Sequence, residues 1–317
     1  MSVHTGLCAM SIFQWGTEEQ KQKFLVPLAS GKKLGAGAFT EPGAGSDFAN
    51  IRTTGKRDGD DFILNGEKMW ISLASIADYA LVTVRTRSGT GKPSSELTSF
   101  IVDLTSPGIT RGDIHGKLGV RAGSTGWINF QDVRVPAANM IGEEGEGFKV
   151  TMSAFDNGRY TVASGATGII RASLEASVKY AQERETFGTP IAQHQLIQAK
   201  IARMALDYEA ARLLYLQAGW CKNEGIRNTK QTGAAKWYAT DASFAAANEA
   251  IQIHGAYGFS DEYDVERYLR NSKGAVIYEG SNEIQRLIQA SYALGWREDR
   301  PLRKELPAYN EAEWQEE

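Results

Sequence analysis

The chain of 317 residues is long enough for two domains of ordinary size, and its 42% hydrophobic and 23% charged residues are typical of a globular protein rather than a disordered one. A formal net charge of −3 and a pI of about 5.9 do not indicate a nucleic-acid-binding surface. Two distant cysteines, Cys8 and Cys221, four scattered histidines and the lack of a long apolar run argue against a disulfide framework, a metal site and a membrane span.

The first half of the chain predicts a short helical segment followed by strands. In residues 1–35, an apolar stripe with Phe24 and Leu28 follows a polar run, a helical pattern too short to form a core alone. In residues 36–142, short β-type runs alternate with glycine, proline and serine, which predicts a small antiparallel barrel or sandwich. The dipeptide Asn65-Gly66 between two such runs predicts a two-residue hairpin turn.

The second half of the chain predicts an all-α bundle over residues 143–296. After a glycine-rich connector, apolar residues recur at three- and four-residue steps. We expect four long helices, which cover about residues 147–184, 197–215, 229–253 and 282–294. Residues 297–317 are charged and are expected to form a surface extension. Because strands and helices do not alternate, the fold class predicted is α+β with several domains, not a Rossmann fold.

Two stretches of the β region suit a planar, phosphate-bearing ligand. In residues 40–47, Gly43 and Gly45 let the backbone approach a ligand, and successive amides can cradle a phosphate. The structural alternative is a tight connection between strands. Trp70 offers a flat indole for stacking, and Ser72, two residues along a strand, is expected on the same face. Here the alternative is an ordinary core tryptophan.

Two helix ends in the bundle region offer further ligand contacts. Arg184 can donate a pair of hydrogen bonds to a pyrophosphate, or it can complement the dipole of its helix. After Gln252, a helix runs into glycines, whose free backbone groups can meet a ligand or simply end the helix. Taken alone, both places favour the structural explanation.

The acidic residue Glu279 lies just before a helix that is expected to begin near Asn282. Ser281 or Asn282 can cap that helix, and a nearby carboxylate complements its dipole, which is the structural explanation. The functional alternative is a general base beside an apolar channel, where desolvation raises the pKa of the carboxyl toward neutral pH. The neighbouring residues by themselves favour the structural role.

The order and spacing of these stretches resemble the acyl-CoA dehydrogenase family from about residue 16 to residue 295. The matching runs are residues 16–21, 40–47, 64–68, 117–121, 155–159, 184–188, 252–258 and 278–286. The family holds FAD between a β-domain and a helical bundle, so the resemblance implies FAD as cofactor. Family members also carry an N-terminal helical domain, of which residues 1–35 are expected to be the last part. The resemblance further implies a soluble protein of the bacterial cytoplasm or the mitochondrial matrix.

The resemblance assigns site residues position by position. It matches FAD contacts to Phe39, Thr40, Gly45, Ser46, Trp70, Ser72, Arg184, Phe187, Gln252, Ala256, Ser281 and Glu283. It matches the acyl-CoA site to Ser46, Asp156, Arg159, Glu279 and Gly280. In the family, the positions of Arg184, Phe187, Gln252 and Ala256 reach the FAD of a neighbouring subunit, which implies a homotetramer.

The reaction that the resemblance implies is the dehydrogenation of an acyl-CoA thioester to a trans-2-enoyl-CoA. Glu279 removes the α-proton, flavin N5 accepts the β-hydride, and an electron-transfer flavoprotein takes up the electrons. Hydrogen bonds from the Glu279 N–H and from a ribityl hydroxyl of FAD to the thioester oxygen stabilise the charge that develops there.

Several alternatives stay open. A chain without most of the N-terminal domain could be a non-catalytic paralogue with a structural or interaction role. Acyl-CoA oxidases and enoyl-CoA reductases share the fold but differ in chemistry. Residues 260–263 and the run Gly280-Ser281-Asn282 also resemble the glutaryl-CoA branch, so a glutaryl thioester and a simple acyl thioester are both compatible with the sequence.

Overall fold

The structure is a computed structural model that describes residues 2–306, 308 and 309. The described chain divides into two compact units. The first unit comprises residues 2–117, 121–158 and 302–306, and the second comprises residues 118–120, 159–301, 308 and 309. Of the extension expected over residues 297–317, residues 307 and 310–317 lie outside the described part of the chain.

The first unit begins with a string of short helices, as expected for this segment. A π-helical segment, Ser2–Ala9, runs into α1, Met10–Trp15, and is followed by α2, Glu18–Gln20, a π-helical segment, Lys21–Leu25, and α3, Val26–Ala29. Thr17 starts α2 in a capping box. The Gln20 N–H donates to the Thr17 hydroxyl at 3.2 Å, and the Thr17 N–H donates to the Gln20 side-chain oxygen at 3.0 Å.

Eight strands of the first unit form one sheet. They are β1, Gly35–Ala38; β2, Thr54–Asp58; β3, Asp61–Ser72; β4, Tyr79–Arg85; β5, Leu97–Asp103; β6, Ile109–Asp113; β7, Thr125–Pro136; and β8, Met140–Ile141. Their order is β6-β7-β3-β2-β4-β5-β8, with β1 parallel to β4. Most neighbours are antiparallel, which confirms that part of the prediction.

The barrel version of the prediction is wrong. Among the described strands, the pairing does not return from β8 to β6, so the sheet stays open. Closing a sheet requires a continuous ladder between the two end strands. The end strand β8 has only two residues, Met140 and Ile141, and both already pair with β5.

The hairpin predicted at Asn65-Gly66 is also wrong. Strand β3 continues through both residues, and the turn that joins β2 to β3 lies at Gly59 and Asp60. The register of β3 against β7 shifts between Leu64 and Gly66, which marks a bulge. Gly66 has a φ of +140°, and a Cβ there would lie 2.7 Å from the Thr53 Cα. The glycine therefore serves a bulge and a close backbone approach instead of a turn.

Apolar side chains form separate cores on the two faces of this sheet. One core consists mainly of strand residues, with the Phe62 and Phe100 rings 4.8 Å apart. The other packs the N-terminal helices, including Ile12, against the sheet. Strand β4 is buried on both faces, since Leu81 belongs to one core and Val82 to the other.

The second unit is helical. Its long helices are α4, Gly147–Glu183, whose residues up to 158 belong to the first unit; α5, Gln195–Asn223; α6, Thr229–His254; and α8, Asn282–Ala293. These helices confirm the predicted bundle. A further helix, α7, Val265–Ala275, was not predicted because its sequence carries few apolar residues. A short hairpin of β9, Glu185–Thr186, and β10, Thr189–Pro190, connects α4 to α5. Short 3₁₀ segments lie at Phe48–Asn50, Pro93–Glu96, Ala137–Asn139, Ile191–Gln193 and Gly255–Phe259.

Helix α6 is central to the second unit, where it contacts α5, α7 and α8. Its buried face consists mainly of small residues, among them Ala235, Ala239 and Ala246, so neighbouring backbones can approach it closely. Lys236 is the exception, a long charged side chain that is fully buried on this face. None of the described helices is both long and apolar enough to cross a bilayer.

Candidate active site

Glu279 lies in the turn that joins α7 to α8 in the second unit. Its backbone is left-handed, with a φ of +56°, and Gly280 follows with a φ of +84°. A left-handed conformation costs a residue with a Cβ about 1–2 kcal/mol. Such a conformation persists only where the surrounding structure enforces it, and it is common at functional sites.

Three hydrogen bonds within the second unit enforce this turn. The Arg159 side chain donates from Nε to the Glu279 carbonyl oxygen at 3.4 Å. The Gln285 side chain donates to the Gly280 carbonyl oxygen at 3.1 Å, and the Asn282 N–H donates to the Val276 carbonyl oxygen at 3.1 Å. The backbone of the turn is therefore held from α4 and from α8 itself.

The carboxyl group of Glu279 is in an environment suited to proton transfer. Its Oε2 atom is buried and has no hydrogen-bond partner among the described residues. Burial raises the pKa of Glu279 to about 7, although the positive charges of Arg159 and Lys236 act in the opposite direction. Near neutral pH the group is therefore present in both protonation states, which a general base requires.

A polar network beside the turn contains residues that the sequence did not single out. Lys236 donates from Nζ to the Asn282 side-chain oxygen at 2.8 Å, and both residues are buried. The Asn282 side-chain nitrogen donates to the Thr240 hydroxyl at 2.9 Å and to Asp241 at 2.7 Å. A signal for Lys236 was present in the sequence, because it occupies a helical core position among alanines and threonines.

In the first unit, a backbone hydrogen bond connects Thr40 to the residue that precedes Trp70. The Met69 N–H donates to the Thr40 carbonyl oxygen at 2.9 Å. Trp70 has a φ of +62° and lies at a register shift between Met69 and Ile71, where β3 pairs with β7. Its side chain is 58% exposed, so it is not the core tryptophan of the structural alternative. Because of this bulge, the regular alternation expected to align Trp70 with Ser72 does not apply here.

The loop at residues 40–47 is fixed at its base and exposed at its tip. Glu41 is buried and pairs with the buried Lys68, with 2.9 Å between Oε1 and Nζ. Its carboxylate also accepts hydrogen bonds from the N–H groups of Arg52 at 2.6 Å and Thr53 at 2.9 Å. Gly45 and Ser46 at the tip are exposed, and a Cβ on Gly45 would meet no atom within 4 Å. Open space therefore borders a firmly held loop.

The other predicted site residues lie in varied surroundings. Phe39 is buried and packs edge-to-face against Phe155, with 5.3 Å between ring centres. Phe187 is 97% exposed on the β9–β10 hairpin and has a φ of +53°. Other exposed positions are Arg184, Gln252, Ala256 and Glu283, and the half-buried positions are Ser72, Asp156 and Ser281.

Two groups of site residues thus emerge, one in each unit. In the second unit Arg159, Glu279 and Gly280 meet at one turn. Ser281 immediately precedes α8 but makes no capping hydrogen bond with the described residues. Hydrogen bonding by the Glu283 N–H and by the Ser281 hydroxyl lowers the pKa of Glu283. Ser281 therefore provides no side-chain cap, although Glu283 lies in the first turn of α8, where a carboxylate complements the helix dipole.

Comparisons with known proteins indicate the same family along most of the chain. Sequence profiles match for the acyl-CoA dehydrogenase N-terminal domain at residues 1–32, the middle domain at residues 36–133 and the C-terminal domain at residues 145–294. The probable acyl-CoA dehydrogenase YngJ of Bacillus subtilis strain 168 is 45% identical over 289 residues, which are 91% of this chain and 76% of that relative.

Solved structures agree with this result. Butyryl-CoA dehydrogenase from Megasphaera elsdenii superposes with a TM-score of 0.90 at 42% identity, over 92% of this chain and 76% of that one. A glutaryl-CoA dehydrogenase from Mycobacterium smegmatis in complex with FADH2 superposes with a TM-score of 0.87 at 34% identity, over 94% of this chain and 75% of that one. The chain belongs to the acyl-CoA dehydrogenase family.

Proposed function

We propose that the chain dehydrogenates an acyl-CoA thioester to the trans-2-enoyl-CoA, with Glu279 as the base and FAD as the cofactor. The observation that carries this proposal is the Glu279 carboxyl group, whose buried Oε2 has no hydrogen-bond partner among the described residues and whose pKa is raised to about 7 by burial. A carboxylate freed from competing donors is a better base toward a weakly acidic C–H group than a solvated one.

The backbone beside the base supports the same reaction. Removal of the α-proton places negative charge on the thioester oxygen, and a hydrogen-bond donor aimed at that oxygen stabilises the charge. Within the described chain, the Glu279 N–H donates to no backbone acceptor. We assign this N–H to the thioester oxygen, so that one residue both removes the proton and stabilises the charge that results.

The residues of the first unit fit a planar cofactor. Trp70 presents an exposed indole at a bulge, and its neighbour Met69 is tied to Thr40. We assign Thr40, Trp70 and Ser72 to the isoalloxazine ring, and Gly45 and Ser46 to the part of the loop beside it. FAD, when bound, accepts the β-hydrogen with its electron pair, which no side chain can do. The similar glutaryl-CoA dehydrogenase was solved with FADH2, which supports this choice of cofactor.

The exposed positions of the second unit suit contacts with another subunit. Arg184, Phe187, Gln252 and Ala256 are all exposed in this chain, as residues that serve a neighbour's FAD would be. Helix α5 also exposes an apolar stripe formed by Leu206, Leu213, Leu216 and Trp220. An apolar stripe on a long helix favours association. We propose a homotetramer, with an electron-transfer flavoprotein as the electron acceptor.

Short-chain acyl-CoA thioesters are the first substrates to test, because one similar structure is a butyryl-CoA dehydrogenase. The purified protein is expected to be yellow and to lose its flavin absorbance when butyryl-CoA is added without oxygen. Octanoyl-CoA and glutaryl-CoA, tested in parallel, define the acyl group. Stoichiometric FAD that none of these thioesters bleaches would contradict the proposal. Oxygen consumption compared with reduction of an electron-transfer flavoprotein separates a dehydrogenase from an oxidase.

A further inference from the structure

Two lysines of the described chain have fully buried side chains, and they differ in how their charge is compensated. Lys68 of the first unit lies 2.9 Å from the Glu41 carboxylate, which neutralises it locally. Lys236 of the second unit forms no ion pair with any described residue, and its Nζ donates instead to the neutral amide oxygen of Asn282. A buried ammonium group is unfavourable unless opposite charge compensates it. The position of Lys236 therefore points to a carboxylate that acts from beyond direct contact.

The partner of Lys236, Asn282, connects it to the turn of the base. Asn282 is the first residue of α8 and lies three positions after Glu279. Its side chain is bound to α6 at three points, namely Lys236, Thr240 and Asp241. One end of the left-handed turn is thereby fixed to α6, while Arg159 holds the other end from α4.

The charged groups that act on Glu279 or on Lys236 lie on α4, α6 and α8. Helix α4 contributes Arg159, and α6 contributes Lys236 and Asp241. Helix α8 contributes the exposed Glu283, and Tyr278 precedes the base in the turn. Of these, Arg159 and Lys236 favour the carboxylate form of Glu279 and oppose the effect of burial. Burial and the charge of Arg159 lower the pKa of Lys236 to about 8, while Glu279 and Asp241 act to raise it.

We propose that Lys236 is a positioning residue for Glu279: through Asn282 it holds the turn that carries the base, and its buried positive charge favours the carboxylate form of that base. The proposal rests on the proposed role of Glu279 in the reaction. Arg159 already contacts the Glu279 backbone and is assigned to the substrate, whereas Lys236 is fully buried and donates to Asn282 at the start of α8.

Removing the Lys236 charge should shift the pH at which Glu279 titrates, and the direction of this shift can be measured. When a nearby positive charge is removed, the carboxylate is less favoured, so the pH at which Glu279 is half-protonated rises. A nearby opposite charge typically shifts a pKa by about one unit or more. We expect a rise of about one pH unit in Lys236→Gln and in Lys236→Met, and about a tenfold slower flavin reduction well below that midpoint.

The test follows the protonation of Glu279 directly in the FAD-loaded protein. The carboxylic acid C=O stretch in the infrared spectrum is recorded against pH, and the Glu279 band is the one that disappears in Glu279→Gln. Lys236→Gln keeps a donor for Asn282 without the charge, and Lys236→Met removes both. Lys230→Gln is the matched control, because it removes one charge from an exposed position of the same helix. Circular dichroism shows which variants are folded.

A higher midpoint in the folded Lys236 variants, together with an unchanged midpoint in Lys230→Gln, supports the proposal. If a folded Lys236→Gln protein titrates at the native midpoint, or if Lys230→Gln shifts equally, the proposal is overturned. A purely structural role would slow flavin reduction at every pH without moving the midpoint. The infrared titration needs no turnover, so this outcome stays separate from a failure of the native protein to oxidise any acyl-CoA.

Discussion

Gln285 donates from its side-chain nitrogen to the Gly280 carbonyl oxygen at 3.1 Å, and a Cβ on Gly280 would lie 2.7 Å from that same nitrogen. The hydrogen bond and the glycine therefore depend on each other. Since Gly280 directly follows Glu279, this contact helps to hold the left-handed backbone of the turn. A side chain at this position would force the Gln285 side chain to move.

Replacing Gly280 with alanine should destabilise the protein and slow the reaction. The left-handed φ and the contact with Gln285 together are expected to cost about 2–3 kcal/mol of unfolding free energy. Gly295→Ala is the matched control, because Gly295 has a φ of +69° and open space around it. It should lose only about 1 kcal/mol and keep its activity. Urea unfolding and flavin reduction measure the two effects, and equal losses in both variants would contradict this account of the turn.

Replacing Glu279 with glutamine should leave the protein yellow and stop its reduction by substrate. The amide keeps the size of the carboxyl group but cannot accept the α-proton, so the rate should fall by at least about a hundredfold. Anaerobic stopped-flow spectroscopy with butyryl-CoA measures this rate. Glu175→Gln removes an exposed carboxylate from α4 and should reduce flavin normally. A normal rate in Glu279→Gln would show that another group is the base.

The same substitution should change how stability depends on pH. The pKa of Glu279 is about 7 in the folded chain, compared with an ordinary value of 4.5. Its contribution to stability is therefore fully present below about pH 4.5 and is lost as pH rises through about 7. Glu279→Gln cannot titrate, so its unfolding temperature relative to the native protein should rise between pH 5 and pH 8. A constant difference across this range would mean that the carboxyl group is not desolvated.

Replacing Trp70 with alanine should weaken FAD binding with little effect on folding. The indole is more than half exposed, so its removal is expected to change the unfolding free energy of the apoprotein by less than about 1 kcal/mol. Lost stacking should weaken FAD binding by about tenfold. Trp15→Ala is the contrast, because Trp15 is 2% exposed and its loss should cost about 3–5 kcal/mol. Unchanged FAD affinity in Trp70→Ala, measured by fluorescence titration, would exclude the indole from the cofactor site.

Replacing Lys68 with methionine should be strongly destabilising. It leaves Glu41 buried without its cation, for which the expected cost is about 3–5 kcal/mol. Lys33→Met breaks a more exposed ion pair, with Asp78, and should cost less than about 1 kcal/mol. Chemical unfolding of both variants tests the difference. Similar losses would mean that the buried pair does not stabilise the loop at residues 40–47.

Much of the fold could be predicted because its signals are local. The three- and four-residue spacing of apolar side chains located α4, α6 and α8 within one residue at each end, and α5 except for its last eight residues. The β character of residues 36–142 was also predicted, but not every strand and not their pairing, since Asn65-Gly66 has the composition of a turn and lies in a bulge of β3. A glycine with positive φ can occupy either a hairpin turn or a bulge. The pairing of β3 with β7 determines which of the two forms.

The sequence by itself determined the order of helices and strands, the likeness to one family and the identity of Glu279 as the candidate base. The tertiary structure alone decided that this carboxyl group is desolvated, that Trp70 is exposed at a bulge, and that Lys236 is buried beside the turn. The physical reason is distance along the chain. The side chain that holds the Glu279 backbone, Arg159, is 120 residues away, and Lys236 is bound to a residue 46 positions away. Burial and charge at Glu279 depend on partners that are distant in the sequence, so no local pattern of residues predicts them.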